Sequence, residues 1–79
     1  MKADSTIDCL GLYCPMPIIK TAEKIKEIEP GQILEIVADD RGIVEDMPNW
    51  CKTTGHEFLG IEGDEEEYKA YVKKTANIK

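Results

Sequence analysis

The residue with the clearest capacity for chemistry is Cys14, which is followed by Pro15 and, two residues further on, by Pro17. Proline is favoured at the first position of a helix, because its missing N–H would have no partner there. If Pro15 begins a helix, Cys14 caps it at the positive end of the helix dipole, which lowers the pKa of a cysteine thiol. The pattern therefore predicts a nucleophilic thiolate, able to take up sulfur or to attack a disulfide.

The elements that would position Cys14 follow from the hydrophobic pattern of the first half of the chain. Residues 6–10 alternate as a short strand with Ile7 and Cys9 on one face, and residues 33–38 form the most apolar run, typical of a buried strand. Between them, apolar residues recur at helical spacing from 15 to about 28, and Pro30 and Gly31 follow. The order strand, helix, strand predicts a βαβ unit with parallel strands.

The second half of the chain predicts one more helix and two more strands. The helix is predicted around Met47, Trp50 and Cys51, and Pro48 leaves two starts open, one near Met47 and one from Gly42. Residues 57–62 and 68–72 are predicted to be hairpin strands, although the glutamates before residue 68 also suit a helix. The expected fold is an α/β (α+β) two-layer sandwich of order β-α-β-α-β-β. Its four-stranded mixed sheet carries both helices on one face, in a single domain (1–79) with a frayed tail at 75–79.

Polar residues follow the second predicted strand and should lie near Cys14, since open α/β sheets bind ligands beyond the carboxyl ends of parallel strands. Asp39 and Asp40 are predicted to be cap or turn residues. Arg41, the only arginine in the chain, would stabilise a thiolate by its charge, or would simply be a solvated loop residue. Both roles stay open from the sequence.

The other two cysteines and the single histidine have less distinctive settings. Cys51 lies on the apolar stripe of the second helix and is predicted to be a core residue. Cys9 either faces the core or lies near Cys14 and resolves its oxidised or sulfurated form. His56 is predicted to be a hydrogen-bonded surface residue. No metal site is expected, because the spacings C-x4-C and C-x4-H are wider than those of zinc knuckles.

Length and composition exclude several classes of protein. A chain of 79 residues with 42% hydrophobic and 33% charged residues suits one small globular domain. The net charge of −6 argues against direct nucleic-acid binding, and no apolar run is long enough to span a membrane. Neither an apolar signal peptide nor an even set of cysteines is present, which predicts free thiols in the cytoplasm.

Two segments together resemble the SirA/TusA-like family. The first contains Cys14-Pro15-Met16-Pro17, which matches the CPxP motif of that family. The second, Asp46-Met47-Pro48-Asn49-Trp50 with Gly55-His56, is similar to its DIPxW…GH segment. The resemblance covers residues from about 7 to 72, and two motifs at the right separation are more specific than CPxP alone. After the second strand the family often has an Asp-Pro pair, where this chain has Asp40-Arg41.

The resemblance implies a sulfurtransferase that acts as a persulfide carrier rather than as a stand-alone catalyst. Cys14 would hold sulfane sulfur, Pro15 and Pro17 would shape the helix start with Met16 as a further supporting residue, and no metal or organic cofactor would be needed. The implied partners are a sulfur donor (a cysteine desulfurase, a rhodanese-like or a DsrE-like protein) and an acceptor in tRNA thiolation, molybdenum-cofactor supply or sulfur oxidation. The lysines of the first helix are the predicted docking face for acidic partners.

Two other functions stay open from the sequence. A thiol–disulfide switch would use Cys9 and Cys14, and it requires their Cα atoms to lie within about 7 Å of each other. A non-catalytic regulatory adaptor would use the CPxP segment only as a helix start, and its Cys14 would show ordinary thiol reactivity.

Overall fold

Two helices on one face of a four-stranded sheet make up the described part of the chain, which is residues 3–13, 16–63 and 66–75 of a computed structural model. The elements in order are β1 (Ser5–Cys9), α1 (Met16–Ile25), β2 (Ile33–Ala38), α2 (Ile43–Thr54), β3 (Glu57–Gly63) and β4 (Tyr68–Lys73). The predicted two-layer β-α-β-α-β-β fold is confirmed.

The sheet has the strand order β1-β2-β4-β3, with β1 parallel to β2 and β4 antiparallel to both of its neighbours. The parallel pair is joined through α1, as a βαβ unit requires. Both ends of the described chain lie at the end of the sheet where β1 and β2 begin and β4 finishes. There, the Asp4 N–H donates to the Ile33 carbonyl at 2.8 Å and the Lys74 N–H to the Gln32 carbonyl at 3.0 Å.

The core lies between the sheet and the helices, because alternate residues of each strand point to that side. On β2 these residues are Leu34, Ile36 and Ala38, all fully buried. Their register partners on β4 are Val72, Ala70 and Tyr68. The helices complete this layer with a further set of buried side chains: Thr21 and Ile25 of α1, and Ile43, Met47 and Cys51 of α2.

The opposite face of the sheet carries a polar network across three strands. The Tyr71 hydroxyl on β4 donates to Glu35 Oε2 on β2 at 2.8 Å, and the Thr6 hydroxyl on β1 donates to Glu35 Oε1 at 3.1 Å. Tyr71 is only 3% exposed although it lies on the side away from the helices. The hydrogen bonds of Glu35 thus hold the open face of the sheet together.

The first helix is shorter than its apolar stripe predicts. It ends at Ile25, whereas the pattern extends to about Ile28. Ile28 is buried as predicted, but it lies in the following turn, where the Glu27 N–H donates to the Lys24 carbonyl at 2.9 Å. Side-chain burial therefore extends one turn beyond the helical backbone. The spacing of apolar residues alone does not distinguish a buried turn from a continuing helix.

The second helix takes the earlier of its two predicted starts. It begins at Ile43 and contains Pro48, which has no N–H to donate to the carbonyl of Val44. Val44 is on the exposed side of the helix, so solvent can reach that carbonyl. The helix ends at Thr54 and is capped by Gly55, whose φ of 93° is left-handed and whose N–H donates to the Cys51 carbonyl.

Candidate functional site

Cys14 and Pro15 lie outside the described residues, so the candidate site is defined by the segments on either side of them. Residues 10–13 follow the end of β1, and α1 begins at Met16. The Met16 N–H donates to the Tyr13 carbonyl at 2.8 Å. The two residues that flank positions 14 and 15 are therefore held within hydrogen-bonding distance of each other.

The loop that leads to position 14 is fixed by hydrogen bonds at both strand ends. The Leu12 N–H donates to the Cys9 carbonyl at 3.1 Å, which closes a turn directly after β1. The Gly11 N–H is shared by the two carboxylate oxygens of Asp39, at 3.0 and 3.1 Å. Gly11 has a φ of 81°, a left-handed conformation that glycine adopts without strain. The end of β2 thus anchors the loop between β1 and α1.

The Asp39 contact agrees with the prediction that the residues after β2 lie near the loop toward position 14, and it changes the role predicted for Asp39 itself. Asp39 was predicted to be a cap or turn residue near the loop, and it instead bridges two segments that are 28 residues apart. Asp40 does act as a turn residue, since its Oδ1 accepts from the Gly42 N–H at 3.0 Å. Arg41 is exposed in the turn before α2, and its role beside Cys14 stays a prediction.

Four apolar side chains around the loop and the start of α1 are exposed to solvent, and we call them the apolar collar. They are Leu10, Tyr13, Met16 and Ile19, with exposed fractions of 45%, 78%, 38% and 44%. All four come from the loop after β1 or the first turn of α1, and exposed apolar surface of this kind is typical of protein–protein contact sites. The collar was not predicted from the sequence. The available signal was that Met16 and Ile19 lie off the apolar stripe of Ile18, Ala22 and Ile25.

An acidic groove of about 680 Å³ adjoins the collar at Leu10. Its lining also includes Asp39 and the carboxylates Glu62, Glu66 and Glu67 from the β3–β4 hairpin. The lysines of α1, by contrast, are interleaved with acids, and Lys24 lies 3.7 Å from Glu27. Negative charge therefore dominates the groove, in which Lys69 is the one described basic residue, and the docking role of the α1 lysines stays a prediction.

The remaining predicted site residues are buried or structural. Pro17 is buried in the first turn of α1, and its carbonyl accepts from the Thr21 hydroxyl at 2.8 Å. Cys9 is 1% exposed, and burial together with the nearby Asp8 charge raises the pKa of its thiol. Cys51 is 2% exposed, and burial raises the pKa of its thiol to about 11. Both thiols are therefore protonated near neutral pH, and the Cys9 side chain lies in the core, while its role toward Cys14 stays a prediction.

His56 is buried, which corrects its prediction as a surface residue. Its ring stacks on Trp50 with the ring centroids 5.2 Å apart, and only 8% of the residue is exposed. Its Nδ1 accepts from the Thr75 N–H at 3.4 Å. Burial and the positive charge of Lys74 both lower the pKa of His56. The sequence shows the i, i+6 pair of Trp50 and His56, but the helix end that folds one ring onto the other is a tertiary feature.

Comparison with known proteins identifies the family. The model of the family described as sulfurtransferase TusA matches residues 5–74, a stretch that includes the Cys14-Pro15-Met16-Pro17 motif. The chain belongs to the TusA family. The predicted SirA/TusA-like resemblance is thereby confirmed.

Curated relatives of this TusA-family chain have names that refer to sulfur carriage. "Putative sulfur carrier protein YrkI" of Bacillus subtilis is 40% identical over 74 residues, which are 94% of this chain and 99% of that protein. "Putative sulfur carrier protein YrkF" of the same organism is 45% identical over 74 residues. The match covers 94% of this chain but spans only 40% of the length of YrkF.

A solved structure shows the same fold. The crystal structure of a SirA-like protein from Desulfitobacterium hafniense superimposes with a TM-score of 0.76 over 90% of this chain and 97% of that one, at 22% identity. Neither α1 nor α2 has the length and apolar character of a membrane-spanning helix, in the part of the chain that the structure describes.

Proposed function

We propose that this TusA-family chain carries sulfane sulfur as a persulfide on Cys14 and relays it between two partner proteins. The observation that carries the proposal is the family match over residues 5–74, because that stretch contains the CPxP motif at Cys14. Burial of the other two thiols supports it. Cys9 and Cys51 are 1% and 2% exposed, which makes both of them poor sites for sulfur exchange.

The transfer needs no external oxidant or reductant. The Cys14 thiolate attacks the outer sulfur of a persulfide on the donor, a new S–S bond forms at Cys14, and the donor's own S–S bond breaks. The donor cysteine leaves as a thiolate. In the second step a nucleophile of the acceptor attacks the outer sulfur on Cys14, and the Cys14 thiolate is released. The protein itself is unchanged after one cycle, and the persulfide sulfur is cargo rather than a resident cofactor.

The apolar collar offers a contact surface for such partners. Leu10 and Tyr13 precede position 14 and Met16 and Ile19 follow it, so a protein that covers them also approaches Cys14. Burial of exposed apolar surface is favourable by about 25 cal/mol per Å², before the entropic cost of association. A donor persulfide and an acceptor would use the same surface in turn. Free thiols persist in reducing compartments, and we assign the protein to the cytoplasm for that reason.

The disulfide-switch alternative is less well supported. It requires the Cys9 thiol to reach a partner sulfur, but the Cys9 side chain lies in the core beneath α1, at the β1 position paired with Ala38. Burial also raises its pKa, which reduces the thiolate fraction that disulfide exchange needs.

Intact-protein mass spectrometry after incubation with a sulfane-sulfur donor tests the proposal. The parent protein should gain the mass of one sulfur atom, and a thiol reductant should remove it. Cys14→Ser should lose the gain, while the matched variant Cys51→Ala should keep it, because Cys51 is buried and protonated. Sulfur loading that persists in folded Cys14→Ser would contradict the proposal, and a circular dichroism spectrum would show whether that variant is folded.

A further inference from the structure

A second groove lies between the C-terminal ends of the two helices, at the opposite end of the fold from position 14. It has a volume of about 350 Å³, within the range of small-molecule sites. Its floor is apolar and aromatic, formed by Ile25 and Ala22 of α1 and by Trp50 of α2. The Trp50–His56 stack, with 20° between the ring planes, gives the groove one flat wall.

The groove contains a hydrogen-bond donor that no described residue uses. The His56 ring lines it and is 92% buried, as its exposed fraction of 8% implies. Because Nδ1 accepts from the Thr75 N–H, the proton of the neutral ring resides on Nε2. Burial and the Lys74 charge lower the pKa of His56, which keeps the ring neutral. No hydrogen bond joins Nε2 to an acceptor among residues 3–13, 16–63 and 66–75, and no described side chain has a fully buried polar atom without a partner, so Nε2 is open to solvent.

Positive charge surrounds this donor, although the chain as a whole has a net charge of −6. Lys26 and Lys74 line the groove, and none of the described aspartates and glutamates does. Lys74 Nζ is held by the Ile28 carbonyl at 2.7 Å, and no described carboxylate forms an ion pair with either lysine.

Three carbonyl oxygens near this end of the two helices already accept hydrogen bonds. The Trp50 carbonyl accepts from the Thr54 hydroxyl at 2.7 Å, and the Cys51 carbonyl accepts from the Gly55 N–H at 2.8 Å. The Ile28 carbonyl is occupied by Lys74. The groove thus offers free donors and an apolar wall, and a matching ligand supplies acceptors and an apolar body.

We propose that this groove binds a small organic carboxylate whose flat apolar body packs against Trp50 and whose carboxylate is recognised by His56 Nε2–H, Lys26 and Lys74. The site is separate from sulfur carriage, since it involves neither position 14 nor the apolar collar. An acid of this kind would bind through charge-assisted hydrogen bonds, which are about twice as strong as neutral ones.

Titration of the full chain with phenylacetate tests this site, and phenylacetamide is the neutral control of nearly the same shape. Trp50 is the only tryptophan, so its fluorescence reports on the groove directly, and the amide resonances of Thr53 and Thr54 give a second readout. We expect saturable binding of phenylacetate with Kd near about 1 mM, and at least about tenfold weaker binding of the amide. Lys26→Gln should weaken acid binding by about three- to tenfold. Lys52→Gln, which removes an exposed lysine of α2 outside the groove, should change it by less than about twofold.

Three results would overturn the assignment. Absence of saturation at high millimolar phenylacetate would mean that the groove is not a ligand site. Equal affinity for acid and amide, or equal effects of Lys26→Gln and Lys52→Gln, would show that the groove does not recognise the negative charge of the ligand. Groove resonances that shift with protein concentration alone would assign the groove to contact with a second copy of the chain.

Discussion

The two described cysteines share one environment, which makes both of them poor nucleophiles. Cys9 and Cys51 pack in the core layer, where low polarity favours the neutral thiol. At a pKa of about 11, Cys51 has roughly one thiolate in a thousand molecules at pH 8. Reactivity at either position therefore requires the core to open.

Alkylation of the native protein should reflect this difference. With iodoacetamide near pH 8, peptide mapping should show modification at Cys14 and almost none at Cys9 or Cys51, because thiolates are the reacting species and both buried residues are protonated. All three cysteines should react in denaturant. Native labelling of Cys51 at a rate similar to that of Cys14 would show that burial does not protect it.

Among the elements, the end of β2 and the loop after β1 are coupled by one carboxylate. Asp39 leaves β2 at the edge where β1 also ends, and it accepts the Gly11 N–H with both oxygens. A hydrogen bond to a charged group contributes about 1.5–3 kcal/mol when well formed, and less when it is exposed as here. Its main effect is on the geometry of the segment that leads to Cys14.

Replacement of Asp39 tests this coupling. Asp39→Ala removes both acceptors and should increase hydrogen exchange at the Gly11 amide. It should lower the free energy of unfolding by only about 1 kcal/mol. If the loop geometry matters for sulfur uptake, the rate of Cys14 loading should fall several-fold. Asp39→Asn keeps one oxygen as acceptor and should lie between the parent and alanine. Unchanged Gly11 exchange in Asp39→Ala would contradict the role of this contact.

How far the sequence predicts the structure also differs from element to element. The bounds of β2 were predicted to the residue, because a β-branched run between turn residues has few other outcomes. The end of α1 was placed three residues too late, since Ile28 is buried without being helical. The apolar collar was missed, and Asp39 was predicted to lie near the loop to Cys14 without its hydrogen bond to Gly11. Both depend on which surfaces the sheet order leaves open, and residue spacing does not encode that order.

At the scale of the whole molecule, Tyr71 on the open face of the sheet makes the free energy of unfolding depend on pH in the alkaline range. The hydrogen bond to Glu35, followed by burial and the charges of Glu35 and Glu62, raises the pKa of Tyr71 to about 12. A group whose pKa is raised on folding stabilises the folded state below its unfolded pKa, which is near 10 for tyrosine. That contribution is lost as the pH rises from about 10 through 12.

Urea unfolding at a series of alkaline pH values should reveal this loss. Tyr71→Phe should be less stable than the parent by about 1 kcal/mol near pH 8, and the difference should shrink above about pH 10. Tyr13→Phe is the matched control, because Tyr13 is 78% exposed, and it should follow the parent at every pH. A constant gap between Tyr71→Phe and the parent across this range would rule out the linkage.

The contacts at Gln32 and Ile33 place both ends of the described chain on the side of the fold away from the loop toward Cys14. Asp4 and Lys74 hydrogen-bond to neighbouring residues at one edge of the sheet, and the loop toward Cys14 leaves the opposite edge, about 17 Å away along β2. A second domain can therefore be fused before or after this one, or the module inserted into a loop of another protein, without covering the apolar collar. The same proximity would let a short linker join the two ends in a circular permutant opened in the β3–β4 turn.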